Sequence, residues 1–311
     1  MNQNSEVSGG TILLLSQMLV CSFLWANGFL LMKIIGTDLS PFALSALRGT
    51  LGGVCVGLWL FARRERLLPQ GREWRDWMVL GLMQGVIPNV LTAYALTQIT
   101  VGLTSMIQAS VPLMVALLAH VLFADERLTA RRGLGVLVGF CGMMLLLGPA
   151  ALGYRPESLP GTLAMVATAA SYAVGNIYIR GIPGARPLRL AFGQQIFSGL
   201  PLLAVMLVFA GPRAFDAAPE HAAALAALGL FSTALPIVLY MNILRQAGPT
   251  LGSMNAYLVP VWTILLGLFM LGETVGPREI LGGFVVLSGV ALVSLARRVS
   301  AVPAALTPSS G

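Results

Sequence analysis

Two stretches decide the fold of this chain: GLMQGVIPNVL at residues 81–91 and GLFSTALPIVL at residues 229–239. They share an opening Gly-Leu pair, a proline seven residues after that glycine, and a closing Val-Leu pair. Each stretch lies inside a longer apolar run, and the two are 148 residues apart. A chain of 311 residues with such an internal match is predicted to consist of two similar halves.

The match between the halves extends well beyond these two stretches. The offset stays at 147 or 148 residues and falls to 146 around Pro41, which lies opposite Pro187. The further matching positions are Trp25 with Tyr172, Gly28 with Gly175, Gln98 with Gln246, Ser105-Met106 with Ser253-Met254, Pro112 with Pro260, Glu126 with Glu273, Gly135 with Gly282, and Gly142 with Gly289.

The composition identifies the bilayer as the solvent of this chain. Hydrophobic residues make up 57% of the sequence, charged residues only 10%, and the mean hydropathy is +0.83. A soluble domain carries about a quarter charged residues, so this chain could not cover a surface that faces water. The net charge of +7 lies mostly in short gaps between apolar runs. We therefore predict no nucleic-acid partner and no sizeable soluble enzyme domain.

The apolar runs predict an all-α membrane protein with ten transmembrane helices, since a spanning helix needs roughly 20 apolar residues. The predicted helices are Thr11–Ile35, Pro41–Ala62, Trp77–Gln98, Leu103–Phe123, Gly133–Pro149, Gly161–Ile179, Leu188–Ala210, Ala223–Leu244, Leu251–Leu271 and Ile280–Leu295. Residues 11–149 would form the first five-helix repeat and residues 161–298 the second, with a disordered tail at 299–311.

The distribution of basic residues predicts the orientation of these helices, because cytoplasmic loops carry an excess of Lys and Arg. The gaps after helices 2, 4, 6, 8 and 10 hold fourteen basic residues, whereas the alternate gaps hold four. Both termini are therefore predicted to be cytoplasmic. Since each half has five helices, the second half must enter the membrane inverted. Inverted repeats around a midplane site are typical of secondary transporters.

With these features, the chain resembles the drug/metabolite transporter superfamily and, within it, the ten-helix EamA family. The resemblance rests on Trp25, Pro41, Arg48, Ala95-Leu96, Leu103–Pro112, Ala124-Asp125-Glu126, Gly135–Gly142, Leu251–Pro260, Gly272-Glu273 and Gly282–Gly289. Ala124 departs from the family pattern, which usually has a glycine before the glutamate. The resemblance implies an exporter of amino acids or other metabolites in a bacterial inner (plasma) membrane, and bacterial aromatic amino acid exporters are similar in layout.

Polar side chains at equivalent places in the two halves are the candidates for substrate binding, because polar groups at membrane depth usually face a cavity or another helix. Gln84, Pro88 and Thr92 share one helix face, and Ser232, Pro236 and Tyr240 share the equivalent face. The predicted cavity residues are Trp25, Asn27, Gln84, Thr92, Tyr94, Gln108, Tyr172, Asn176, Tyr240, Asn242, Asn255 and Tyr257. For each residue alone, a hydrogen bond between helices is the alternative explanation.

Four prolines fall in the middle of predicted helices, where proline removes a backbone donor and kinks the helix. Pro88, Pro112, Pro236 and Pro260 could serve as bending points for gating or could simply pack.

Arg48 is the one strong charge well inside an apolar run, and its counterpart in the second half is Gln194. It could hold a substrate carboxylate, or it could snorkel and satisfy a helix end. His120 could hydrogen bond within its helix or carry a proton. Glu126 and Glu273 lie at helix ends, where we expect them to satisfy helix termini or pair with arginines rather than bind substrate.

The absent residue types narrow the substrate class. The sequence places no Asp or Glu in the middle of a predicted helix, so a permanent cation would lack a counter-charge. Phosphorylated solutes would need several basic groups, and only Arg48 is available. Neutral or zwitterionic solutes remain, and the aromatic candidates favour hydrophobic or aromatic amino acids. Nucleosides, sugars and drugs stay open as alternatives.

Other classes of protein fit the sequence less well. An intramembrane enzyme would need a catalytic pair at membrane depth, but the sequence has only His120 and His221, and no acid lies three or four residues from His120. We predict no catalytic residue, no metal site and no cofactor. The partners expected are a small-molecule substrate and membrane lipids, with the chain acting as a monomer. Facilitated diffusion and proton exchange, through His120 or a glutamate at an interface, both remain possible.

Overall fold

The protein is described by a computed structural model. The described residues are 3–35, 38–96, 98–99, 107–108, 110–147, 159–184, 186–271 and 276–300. They are helical or in turns, and no β-strand occurs within these ranges.

We number the long helical segments in chain order. They are α1 (Gln3–Ile35), α2 (Pro41–Ala62), α3 (Glu73–Gly81, the π turn Leu82–Val86 and Ile87–Leu96), α4 (Val111–Leu122), α5 (Ala130–Leu147), α6 (Leu159–Arg180), α7 (Pro187–Phe209), α8 (Ala222–Gly229, the π turn Leu230–Ala234 and Leu235–Ser253), α9 (Asn255–Leu271) and α10 (Pro277–Ser300).

Several helix ends differ from the sequence predictions. α1 begins at Gln3 rather than Thr11, and α10 continues to Ser300, so the first two residues of the predicted tail are helical. The other tail residues, 301–311, lie outside the described residues, as do the start of the predicted fourth helix (residues 103–106) and Glu273. Gly248 has φ 79° inside α8, so the chain turns there and residues 249–253 lead into α9.

Within the described parts of the chain, four helices are long and apolar enough to cross a membrane by length and composition: Phe42–Ala62, Leu159–Arg180, Pro187–Phe209 and Ala222–Ser253. Shorter apolar helices are Ile12–Gly28, Val111–Leu122 and Ile280–Leu295. The other predicted spans do not meet this criterion of length and composition, because their described helices are shorter or because they contain charged or undescribed residues. Large apolar side chains such as Phe209 and Phe269 are exposed on the outer faces, which suits a surface that contacts lipid.

The two halves pack by exchanging helices rather than as separate bundles. α1 packs against α8 and α9 of the second half, and α6 packs against α3 and α4 of the first half. α2 packs along α7, and α5 packs along α10. The α2–α7 and α5–α10 contacts join helices that are equivalent in the repeat, and the contacts of α1 are equivalent to those of α6. The centre of the molecule therefore lies where the two halves meet.

Glycines allow the closest of these approaches, between α5 and α10. A methyl group added at Gly289 would overlap the backbone of Gly139, and one added at Gly142 would overlap the backbone of Val286. The two helix backbones therefore touch at these positions, as small residues permit in membrane helices.

We predict that Gly289→Ala destabilises the protein by about 1–3 kcal/mol, because α5 and α10 must separate to admit the methyl group. The measurement is thermal unfolding of the detergent-purified protein. Gly283→Ala is the matched control in the same helix, since its methyl group would meet only Val261 Cγ1, at 3.9 Å. Equal unfolding temperatures for the two variants would contradict the close contact.

Candidate functional site

The centre of the molecule is organised by two equivalent breaks in α3 and α8. Each helix contains a five-residue π turn, Leu82–Val86 in α3 and Leu230–Ala234 in α8, and these turns are 148 residues apart. A buried proline, Pro88 or Pro236, lies two residues after each turn. Because proline has no N–H, a carbonyl oxygen in the preceding turn loses its helical donor. Such an oxygen must find another partner inside a membrane.

Donors from the opposite half supply those partners. Gln194 Nε2 in α7 donates to the backbone oxygen of Gln84 at 3.2 Å, and Arg48 Nη2 in α2 donates to the backbone oxygen of Ser232 at 3.2 Å. Gln84 and Ser232 are equivalent in the repeat, and so are Arg48 and Gln194. These two hydrogen bonds are therefore equivalent, and we call each of them a bridge between the halves. The donor is an amide in one bridge and a guanidinium in the other.

Arg48, for which the sequence left open either a substrate carboxylate or a helix end as partner, makes its described hydrogen bonds at the break in α8. Its Nε donates to Thr233 Oγ1 at 2.9 Å, inside the π turn of α8. Thr233 in turn donates to the backbone oxygen of Leu228 at 2.9 Å. Arg48 thus ties α2 to the break in α8.

Paired glycines bring the first helix of each half against the break of the other half. A methyl group added at Gly175 in α6 would overlap the side chain of Gln84, and one added at Gly28 in α1 would lie 3.1 Å from Ser232 Cβ. Gly28 and Gly175 are equivalent in the repeat. The breaks in α3 and α8 are therefore enclosed by equivalent helices.

The predicted site residues Gln84, Asn176, Tyr240 and Trp25 meet at this centre. Gln84 Nε2 donates to Asn176 Oδ1 at 2.7 Å, and the Tyr240 hydroxyl donates to the same oxygen at 3.1 Å. The rings of Trp25 and Tyr240 lie 5.0 Å apart. We call these four residues, together with Arg48, the central cluster; they come from α1, α2, α3, α6 and α8.

Other predicted residues lie around the central cluster or away from it. Asn255 is buried and donates to Cys21 Sγ at 3.5 Å, whereas Asn242 donates to Gln17 Oε1 at 3.1 Å. The Tyr257 ring is buried against Gly139. Asn27 donates to the Phe23 backbone oxygen of its own helix at 2.9 Å.

The remaining predicted positions differ mainly in burial. Tyr172 is half-buried and lies close enough to Arg48 to interact with it electrostatically. Thr92 and Gln108 are half-buried, Tyr94 is 42% exposed, and Pro112 is buried. Nothing is described of the Pro260 side chain.

Two titratable side chains that the sequence singled out lie at loops. His120 Nδ1 accepts from the backbone N–H of Leu128 at 3.0 Å, so it fixes the turn after α4. Glu126 is buried 3.7 Å from Arg132 Nη1 and presses against Gly248, where any side chain would overlap its carboxylate. The predicted pairing of Glu126 with an arginine is confirmed.

The comparisons with known proteins agree with a two-fold repeat. The sequence profile of the EamA-like transporter family matches residues 12–148 and, a second time, residues 159–295. This chain belongs to the EamA-like transporter family. The family lies within the drug/metabolite transporter superfamily, so the protein is a membrane transporter.

Several relatives of this EamA transporter match most of its length. The uncharacterized transporter YoaV of Bacillus subtilis (strain 168) is 22% identical over 86% of this chain and 92% of its own length. The uncharacterized inner membrane transporter YedA of Escherichia coli (strain K12) is 25% identical over 88% of each chain. A protein of known crystal structure superposes with a TM-score of 0.78 at 23% identity, covering 92% of this chain and 98% of the other, which shows a shared fold.

Sequence analysis missed an ion-pair network on the arginine-rich face of this transporter, formed by residues 63–76, 125–132 and 178–189. Arg189 at the start of α7 is buried and donates to both Glu73 oxygens at 2.7 Å. It also lies over the Trp77 ring at 5.0 Å. Asp125 pairs with Arg180 across the halves, and Asp76 accepts from the Tyr178 hydroxyl at 2.6 Å. The network joins α3 to α6 and α7, so it holds the two halves together on this face.

The pKa values of two carboxyl groups near this face, the half-buried Glu73 and the buried Glu126, are shifted in opposite directions. The hydrogen bond from Arg189 holds the pKa of Glu73 below its ordinary value, against the effect of partial burial. Burial raises the pKa of Glu126, and Arg132 offsets only part of that effect. A lowered folded-state pKa means that ionised Glu73 stabilises the fold, whereas the raised value means that ionised Glu126 destabilises it.

We predict that Glu73→Gln lowers the unfolding temperature at pH 7, with a loss of about 1–3 kcal/mol. The contribution of ionised Glu73 to the free energy of unfolding is complete above the pKa that Glu73 has in the unfolded chain, roughly 4.3. It is lost as the pH falls through the lower pKa that Glu73 has in the folded protein. The difference between variant and parent should therefore shrink in acid, as measured by thermal unfolding between pH 7 and pH 3.

Glu126→Gln is the matched control for this pair, since it should not lower the unfolding temperature at pH 7. The parent should become more stable as the pH falls from neutral, because Glu126 becomes protonated. Glu126→Gln should lack this gain in stability. If both variants lost the same stability with the same pH dependence, the pKa values of Glu73 and Glu126 would not be shifted in opposite directions, and the prediction would be wrong.

Proposed function

We propose that this EamA transporter exports small neutral or zwitterionic metabolites, with hydrophobic or aromatic amino acids as the favoured class, by alternating access. The observation that carries the proposal is the central cluster, where side chains of both halves meet at the equivalent breaks in α3 and α8. A broken helix at the interface of two repeats is the usual place for a substrate in secondary transporters.

The proposed topology has ten spans arranged as two inverted repeats of five, with both termini in the cytoplasm. The charge distribution supports it, since fourteen basic residues fall in one set of gaps and four in the other. The exchange of equivalent helices between the halves also supports it. On this topology the arginine-rich face is cytoplasmic, the membrane is a bacterial inner membrane, and the transporter acts as a monomer.

The chemistry of the centre favours a solute that is partly apolar. The hydrogen-bonding groups of Gln84, Asn176 and Tyr240 converge on one oxygen, Asn176 Oδ1, and Trp25 lies beside Tyr240. Neutral polar groups beside aromatic rings suit a small molecule with a polar end and an apolar end. An aromatic or branched amino acid has that form.

A second candidate is proton-coupled export of a drug, nucleoside or sugar by the same fold. Glu126 favours the coupling, because its carboxyl group is buried at the turn between α8 and α9 and its pKa is raised by burial. Titration of this group could bias the turn at Gly248. Catalysis is a distant alternative: His120 is held by Leu128 and has no described acidic partner, so we propose that the protein is not an enzyme.

The test is uptake of a panel of radiolabelled amino acids into proteoliposomes, with and without an imposed pH gradient. We expect neutral or aromatic amino acids to equilibrate across the membrane without a gradient. Accumulation only with a gradient would support proton coupling instead. If no amino acid entered, the substrate class would be wrong, and nucleosides, sugars and drugs would be tested next.

Substitutions in the central cluster should then reduce transport. We predict that Gln84→Ala and Tyr240→Phe each lower the initial uptake rate by about tenfold, since each removes a hydrogen bond to Asn176 that positions the site, and 1.4 kcal/mol corresponds to a factor of ten. Ser288→Ala is the control, because the Ser288 hydroxyl is exposed and bonds only within its own helix. Unchanged uptake in both cluster variants would remove the cluster from the transport path.

A further inference from the structure

Arg48 carries more hydrogen-bonding capacity than its structural role uses. A guanidinium has five N–H donors, and the hydrogen bonds that Arg48 makes to other described residues engage two of them, with Thr233 Oγ1 and the Ser232 backbone oxygen. None of the ion pairs formed among the described residues includes Arg48. A charge at membrane depth without a counter-charge is costly, so its presence needs a reason.

The second half of the chain shows that the bridge to the freed carbonyl does not require a charge. Gln194 occupies the position equivalent to Arg48 and donates to the backbone oxygen of Gln84 at the same 3.2 Å. An amide side chain therefore satisfies an equivalent proline break in the same molecule. Arg48 differs from Gln194 in its positive charge and in a second hydrogen bond, to Thr233 Oγ1, whose counterpart in the first half is Gly85. The bridge to the freed carbonyl oxygen does not by itself account for the charge.

The groups around Arg48 leave its charge available. Tyr172 lies close enough to interact with it electrostatically, and Tyr172 in turn interacts with Tyr240 of the central cluster. These neighbours are neutral. The acidic side chains whose ion pairs are described lie at the arginine-rich face, apart from Asp38, which pairs with His221 at 2.8 Å. The central cluster therefore carries a single positive charge.

We infer that Arg48 binds the carboxylate of the transported solute at the central cluster. This inference rests on the proposed function and narrows the substrate to carboxylate-bearing molecules, for which a guanidinium forms strong charge-assisted hydrogen bonds. The carboxylate supplies the counter-charge that the described residues lack. Solutes with an amine and no carboxylate should be rejected, because they would bring a second positive charge beside Arg48.

The experiment uses the full chain purified in detergent and measures the rise in unfolding temperature with added ligand, since a ligand that binds the folded state stabilises it. The probes are L-phenylalanine, L-leucine, 3-phenylpropanoate, which has only the carboxylate, and phenethylamine, which has only the amine. The parent should be stabilised by at least one carboxylate and not by phenethylamine. If no carboxylate in the panel stabilised the parent, or if phenethylamine did so equally well, the inference would be overturned.

Arg48→Gln removes the charge and the bond to Thr233 Oγ1 but keeps a side-chain donor for the Ser232 backbone oxygen, because glutamine already serves as the donor at the equivalent position 194. We expect its unfolding temperature without ligand to stay close to that of the parent, and its affinity for the carboxylate to fall by about tenfold or more. Arg48→Lys keeps the charge and should retain part of the binding, which covers the case that Arg48→Gln does not fold. Carboxylate binding that survives in Arg48→Gln would overturn the inference.

The same panel in proteoliposomes separates this inference from the proposed function. Uptake of amino acids with no preference for a carboxylate would keep the proposed function and remove the role of Arg48. Carboxylate binding that depends on Arg48, without uptake of any amino acid, would keep the role of Arg48 and remove the proposed substrate.

Discussion

The rest of the structure depends on one constraint, which is that a backbone oxygen freed by proline inside the membrane must be satisfied. Pro88 and Pro236 impose this constraint at equivalent points of α3 and α8, next to the π turns. The oxygens of Gln84 and Ser232 accept from Gln194 and Arg48, which belong to the opposite halves. The breaks that weaken two helices are therefore also the points where the two halves are joined.

This construction places flexibility and recognition at the same point. A π turn with a proline just after it is a natural bending point, and Gln84 supplies both the bridged backbone oxygen and a side chain of the central cluster. Movement of α3 or α8 at its break would therefore change the site directly. The two halves have similar geometry at the breaks but differ in charge, because the first half has Arg48 at the position where the second half has Gln194. In our proposal, this asymmetry gives the pseudo-symmetric centre an electrostatic preference for solutes that carry a carboxylate.

The sequence predicted much of the centre because the repeat could be read from it. The pairing of Gln84 and Pro88 with Ser232 and Pro236 comes from the offset of 148 residues between the halves, and the pairing of Arg48 with Gln194 comes from the offset of 146 that holds around Pro41. The partners of Arg48 could not be predicted, since no residue pattern announces a π turn. Such a turn interrupts the regular helix period, so side-chain faces past the break cannot be taken from the sequence spacing alone; Tyr94, past the break in α3, is exposed. The Arg189–Glu73 network was missed because its members are near neither in sequence nor in repeat position.

Electron-spin distance measurements between exposed positions are the most direct test of alternating access around the central cluster. In a cysteine-free background, one label pair at positions 68 and 183 spans the arginine-rich face, and another at positions 98 and 220 spans the opposite face; all four are exposed. The account predicts two populations for each pair, with substrate shifting the two distances in opposite directions. Distances that stay fixed, or that lengthen together on both faces, would contradict it.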